Sequence, residues 1–243
     1  MPKAHHVYLV GESSLVREYA MLCLSRKQTV SARPNPGEGT RIPGGARRAE
    51  APPKSATVAL ELTNIATDVK KKNLIQLDRS LSSGVPIISS SITVTIAEQS
   101  TWIRNPGRLV GIAALPSLLE GSLIELALPE TTTEGTATRA KDFVNLLGKE
   151  VALVQDRIGL VMPRILCMIA NEAYFAMMEG VAGARDIDTA MKLGTNYPDG
   201  PVERAGKIGI RSVCAVLQAL HRHFGEERYR IAPSLQQAEF RIV

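Results

Sequence analysis

The sequence predicts an α/β protein: a layer of mainly parallel strands with helices to about residue 155, followed by helices alone to residue 243. Three observations carry this. Short apolar, often β-branched runs recur between helical stretches, at His6 to Val10, Thr29 to Ala32, Thr57 to Leu60, Pro86 to Ser89, from Leu109, and at Val151 to Val154. Gly11 directly follows the first run, where a tight turn feeds a helix reaching about Ser25. After Asp156 the pattern changes to one long apolar helix, Pro163 to Glu179, and a later stripe of Ile210, Val213, Val216, Leu217, Leu220 and Phe224 recurs at helical spacing. The change marks a boundary between two domains, 1–155 and 156–243.

A hydrophobic content of 44% over 243 residues is enough for real cores. The first 27 residues carry charges through their hydrophobic part, and no later run approaches a membrane span free of Arg, Glu, Asn or Pro, so a cytoplasmic protein is expected. Cys23, Cys167 and Cys214 are few and widely spaced, which reads as small buried hydrophobes in a reducing compartment. No metal site is expected. A net charge of +5 is compatible with a nucleic-acid partner, but the excess is dispersed and aromatics are only 4% of the chain, so stacking platforms are missing. An anionic small ligand such as a CoA or a dinucleotide fits the charge equally well.

Taken in order, the first turn reads Gly11-Glu12-Ser13-Ser14-Leu15-Val16. A Rossmann fingerprint places glycine at three of these positions: for the turn, for close approach of a pyrophosphate, and for close helix packing. Only Gly11 is present. Ser13 still offers a hydroxyl to a phosphate, whereas Val16 brings a branched side chain to a close contact. After the second strand comes Arg33 where an acidic ribose ligand would stand, and residues 33–54 read as a charged, mobile loop of Pro, Gly and Arg. Its arginines, Arg33, Arg41, Arg47 and Arg48, would otherwise form a phosphate or polyanion patch. Lys70 and Lys71 open a helix containing Leu74, Leu77 and Asp78; the single Trp102 is a packing residue; Gly148 ends a helix. In the helical part Asp186 caps a short helix that Gly194 stops, and Tyr197 to Pro201 form a turn into the next.

The run Gly148-Lys149-Glu150-Val151, the long helix, and Asp186-Ile187-Asp188-Thr189-Ala190-Met191-Lys192-Leu193-Gly194 with Tyr197-Pro198 and Gly200-Pro201 resemble the junction and C-terminal domain of the 3-hydroxyacyl-CoA dehydrogenase family. The resemblance covers most of the chain, most strongly Ala56 to Leu81 and Gly148 to Pro201. It implies a Rossmann-like, mainly parallel sheet domain, a helical domain that forms a homodimer, NAD as cofactor and an acyl-CoA-type ligand. Carried over residue by residue, it places Gly11, Ser13, Ser14 and Lys70 at the cofactor and Ser90 at the substrate oxygen. Glu125 matches the glutamate that orients the proton-transferring histidine twelve positions earlier, and that histidine position is Ala113.

Other departures accumulate. Two family asparagines fall on Pro116 and Pro163, a second glutamate falls on Ile65, and the CoA-holding excursion falls on the 33–54 loop. The glycine-rich tail with its cofactor lysine has no counterpart before Val243. These departures weaken the expected grip on NAD. They imply a homologue with catalysis lost or strongly reduced, acting as a ligand-binding or partner subunit. The alternative is an active NAD-dependent oxidoreductase of fatty-acid metabolism that interconverts 3-hydroxyacyl-CoA and 3-ketoacyl-CoA, with Glu125 working through a water and Ser90 holding the oxygen.

Overall fold

The structure, a computed structural model, describes residues 5–39 and 42–240. Arg41, one of the arginines expected in the charged loop, lies outside them. Eight strands form one sheet: β1 (His6–Gly11), β2 (Thr29–Pro34), β3 (Arg47–Arg48), β4 (Val58–Leu62), β5 (Ile87–Ser90), β6 (Leu109–Ile112), β7 (Leu123–Ala127) and β8 (Glu150–Val154). Their order is β3-β2-β1-β4-β5-β6-β7-β8, and only β6 and β7 pair antiparallel. The helices of this part are α1 (Ser13–Ser25), α2 (Thr67–Ser80), α3 (Ile96–Ser100) and α4 (Glu134–Leu146). The rest is α5 (Met162–Met178), α6 (Ala184–Thr195), α7 (Pro201–Ile208), α8 (Ile210–Phe224) and α9 (Pro233–Phe240).

Why the sheet is covered on both faces is visible in β1. Side chains of a strand alternate between faces, so Val7 and Leu9 join Leu15, Val16, Tyr19, Phe143 and Val144 on one side, under α1 and α4. Tyr8 and Val10 point the other way, to Leu74, Leu77, Ile87 and Ile96 under α2 and α3. A further cluster ties the strand ends at Ala113, Leu115 and Ala127 to Ile158, Leu160, Cys167 and the Val213–Leu220 face of α8. All three cysteines are buried and free, in keeping with their role as small hydrophobes. No helix among the described residues is long and apolar enough to cross a membrane.

Several local expectations are corrected. The described parts of the 33–54 segment are tied down: Arg47 and Arg48 pair with Ser31 and Ala32 as an edge strand, and Tyr8 Oη donates to Ala49 O at 3.1 Å. Low hydrophobicity concealed this because the ties are main-chain bonds, to which any residue type contributes. α2 begins at Thr67, so Lys70 lies within the helix and does not open it. α6 starts after Gly183 and runs through Gly194 to Thr195, with Asn196 in the left-handed conformation at its end. Asp186 sits inside its first turn. The capping carboxylate of this motif is Asp188, which accepts from Val202 N at 2.8 Å and Glu203 N at 3.1 Å, at the start of α7. A Cβ on Gly200 would run into that carboxyl group, so the Asp188 and Gly200 positions of the motif are a packing unit.

Candidate functional site

Strand order reverses between β1 and β4, and the crevice outside the carboxyl ends of such a pair is where open α/β sheets hold ligands. Gly11 closes β1 there with φ +147°, and a Cβ would collide with the backbone of Leu62 at the end of β4. Glu12 N donates across to Leu62 O at 3.2 Å, drawing the two strand ends together. Ser13 and Ser14 then open α1. Ser14 is exposed, whereas Ser13 is engaged by the neighbouring loop through Glu38 and Gly39. Val16, at the third fingerprint position, is 1% exposed and packed in the sheet core.

The polar residues of the crevice face one another. The Lys70 ammonium, 1% exposed, pairs with the buried Glu61 carboxylate and donates to Thr63 O at 2.8 Å. Asn73 Nδ2 donates to Glu61 Oε1 at 3.2 Å and Asn35 Oδ1 at 3.1 Å. Ser90, fully buried at the end of β5, donates its hydroxyl to Asn64 Oδ1 at 2.6 Å, and Asn64 Nδ2 donates to Ala114 O at 2.8 Å. The Glu12 carboxylate accepts from Asn64 N at 2.6 Å and Ile65 N at 2.8 Å. Burial pushes the Glu12 carboxyl above its ordinary range, while these two amides pull it back. Arg33, at the end of β2, donates to Asn73 Oδ1 at 2.8 Å and Gln76 Oε1 at 3.0 Å.

Farther along the sheet edge, β7 carries Glu125, 4% exposed. Its carboxylate accepts from Val161 N at 2.9 Å and Met162 N at 2.7 Å, the amides that open α5. Ala113 lies beside it, its amide donating to Glu125 O at 3.1 Å. Ala113, Glu125, Leu118, Leu119 and Met162 line a cavity of about 260 Å³. Pro163 is buried in the first turn of α5, where a missing N–H costs no helical bond.

The structure therefore brings Ser90 into one buried network with Asn64 and Glu12, keeps Lys70 in a second with Glu61 and Asn73, and sets Glu125 apart at the start of α5. No sequence signal singles out Glu12, Asn64 or Glu38. Their importance comes from backbone amides of distant segments, which no spacing encodes.

If the Glu125 carboxylate is a cap, Glu125→Gln presents an NH₂ group to one of two amides that need an acceptor. The variant is expected to lose about 1–3 kcal/mol of stability in urea unfolding. An unchanged midpoint would show that the two amides do not depend on the charge.

With this geometry in place, the chain can be set beside known proteins. Residues 159–239 match the family model for the C-terminal domain of 3-hydroxyacyl-CoA dehydrogenase. A 3-hydroxybutyryl-CoA dehydrogenase of Bradyrhizobium diazoefficiens is 33% identical over 168 residues, which cover 69% of this chain and 57% of that protein. A probable 3-hydroxybutyryl-CoA dehydrogenase of Bacillus subtilis is 31% identical over 161 residues, covering 66% of this chain and 56% of the relative. The aligned part thus spans little more than half the length of these relatives. In fold, the chain resembles the crystal structure of (S)-3-hydroxybutyryl-CoA dehydrogenase from Ralstonia eutropha with a TM-score of 0.79 at 24% identity, covering 97% of this chain and 93% of that one. The motif from Asp186 to Pro201, the Rossmann-like sheet and these relatives agree: the chain belongs to the 3-hydroxyacyl-CoA dehydrogenase family.

Proposed function

We propose that this chain is a family member whose dehydrogenase chemistry is lost or strongly reduced, and that it acts as a ligand-binding or partner subunit. The observation that carries the reading is the state of the acid-base pair. Position 113 presents a methyl group, which takes no proton, and the remaining Glu125 carboxylate is committed to the amides of Val161 and Met162. General acid-base catalysis contributes roughly 10² to 10⁴-fold, so its loss leaves at most the slow rate that positioning supports. No histidine replaces it among the described residues. His5 and His6 lie at the opposite end of β1 from Gly11, and His221 and His223 lie at the end of α8. Ser90, already bonded to Asn64, is likewise turned into the protein.

The residues present weaken the grip on NAD without excluding it. The first amide of α1 already has a carboxylate, Val16 fills the close-packing position, and Lys70 is held by Glu61. One observation favours a second reading, an active NAD-dependent oxidoreductase acting on 3-hydroxyacyl-CoA. The cavity beside Ala113 is large enough for water, and Glu125 lines it.

The relatives named above are 3-hydroxybutyryl-CoA dehydrogenases, so the matching keto substrate is acetoacetyl-CoA. NADH oxidation with acetoacetyl-CoA by the purified protein is expected to stay at the buffer rate. Turnover that disappears in Glu125→Gln would overturn this reading in favour of the second.

The division of labour follows the chain: residues 1–155 carry the sheet crevice, and residues 156–243 pair two copies. Apolar exposure supports the pairing. Met162 and Ile165 are 41% and 46% exposed, and they line a groove of about 380 Å³ with Ile169, Tyr197 and Leu118. Sedimentation equilibrium is expected to give a dimer that Ile165→Glu converts to a monomer. A wild-type monomer at micromolar concentration would remove the pairing.

A further inference from the structure

The reversal between β1 and β4 leaves two sets of backbone amides at the carboxyl end of the sheet: the first turn of α1, and the turn that follows β4. A helix N-terminus at this place favours an anion, because unpaired N–H groups and the helix dipole point the same way. In this chain both sets already hold a carboxylate of the protein. Glu38 accepts from Ser13 N at 2.5 Å, and Ser13 Oγ donates to Gly39 O at 3.0 Å. Glu12 faces the other turn and accepts from Asn64 N and Ile65 N.

The loop that carries Glu38 is anchored at its foot. Asn35 N donates to Gly11 O at 2.7 Å, and Glu38 N donates back to Asn35 O at 3.3 Å. The Asn35 side chain is buried, donating to Thr63 Oγ1 at 3.0 Å and accepting from Asn73 Nδ2 at 3.1 Å. Gly11 of β1, Thr63 just after β4 and Asn73 of α2 therefore hold Glu38 over the start of α1. Charge reinforces the geometry. The Glu38 charge adds to burial in raising the Glu12 carboxyl, and an incoming diphosphate meets two acidic groups where a dinucleotide site needs donors.

We propose that loop 35–39 is a built-in occupant of the dinucleotide site: the Glu38 carboxylate takes the place of a bound anion at the start of α1 and competes with any dinucleotide for it. This deepens the reading of a chain without dehydrogenase turnover, and it concerns binding alone, so it stands or falls separately from the missing histidine.

The test is isothermal titration of the full chain with ADP-ribose, which has the diphosphate of the cofactor but no nicotinamide to react. Glu38→Ala is expected to bind about tenfold more tightly than wild type, within the upper range for an anion at a helix terminus. Ser13→Pro in the Glu38→Ala background removes the amide at a position where proline suits a helix, and it is expected to cancel the gain. Wild type binding as tightly as Glu38→Ala would overturn the proposal, as would a gain that survives Ser13→Pro. Absence of binding by both wild type and a folded Glu38→Ala would also overturn it, because Glu38 would then not be what keeps the anion out. If Glu38→Ala does not fold, the neutral isostere Glu38→Gln is read in the same way.

Discussion

A carboxylate accepting from adjacent backbone amides is the interaction on which this structure depends. Glu125 does this for Val161 and Met162, Glu12 for Asn64 and Ile65, Asp156 for Ile96 and Ala97, and Asp188 for Val202 and Glu203. Three of the four bonded pairs open a helix, where the first N–H groups have no partner within the helix and the dipole favours negative charge. Three of the four join elements far apart in sequence: Glu125 to Met162 spans 37 residues, Glu12 to Asn64 spans 52 and Asp156 to Ile96 spans 60. The seam between the sheet and the long helix α5 is thus held by a side chain that the family resemblance assigns to proton-transfer chemistry.

This use of carboxylates has a functional consequence. A carboxylate saturated by amides in a buried position is fixed in place and accepts no further partner without losing one, so it is poorly suited to steering a proton. The buried Lys70–Glu61 pair has the same character. Removing either partner would strand a charge, so the pair is kept together as part of the crevice wall. Ser90 and Asn64 complete the wall by satisfying each other and Ala114 O. Ala113 supplies only a methyl group, so the polar groups along this wall are satisfied by one another and by backbone.

Much of this was legible in the sequence. The alternation Val7-Tyr8-Leu9-Val10, the turn glycine and the change of period after Asp156 predict the strands, the first crossover and the helical part, because each depends on local pattern. That Ala113, Pro116 and Pro163 offer no polar side-chain group was legible too. What the remaining residues do was not. Asp186 and Asp188 are both acidic residues near a helix start, and only the returning turn at Gly200 makes Asp188 the cap. Lys70 has the same spacing from Glu61 whether it faces a cofactor or its neighbour. Glu38, in a Pro- and Gly-rich stretch, looks like a solvated loop charge until Asn35 is seen to fix it over α1. Most of these are contacts to main-chain atoms, which carry no sequence signal, and the Lys70–Glu61 pair is a tertiary contact that spacing alone does not reveal.

Amide hydrogen exchange at Ser13, Asn64, Ile65, Val161 and Met162, with and without saturating NADH and acetoacetyl-CoA, tests the central claim most directly. Amides already bonded to carboxylates of the chain are expected to be protected in the protein alone and unchanged by the additions. Amides that exchange freely alone and become protected on addition would show that they serve a ligand, and would contradict the account.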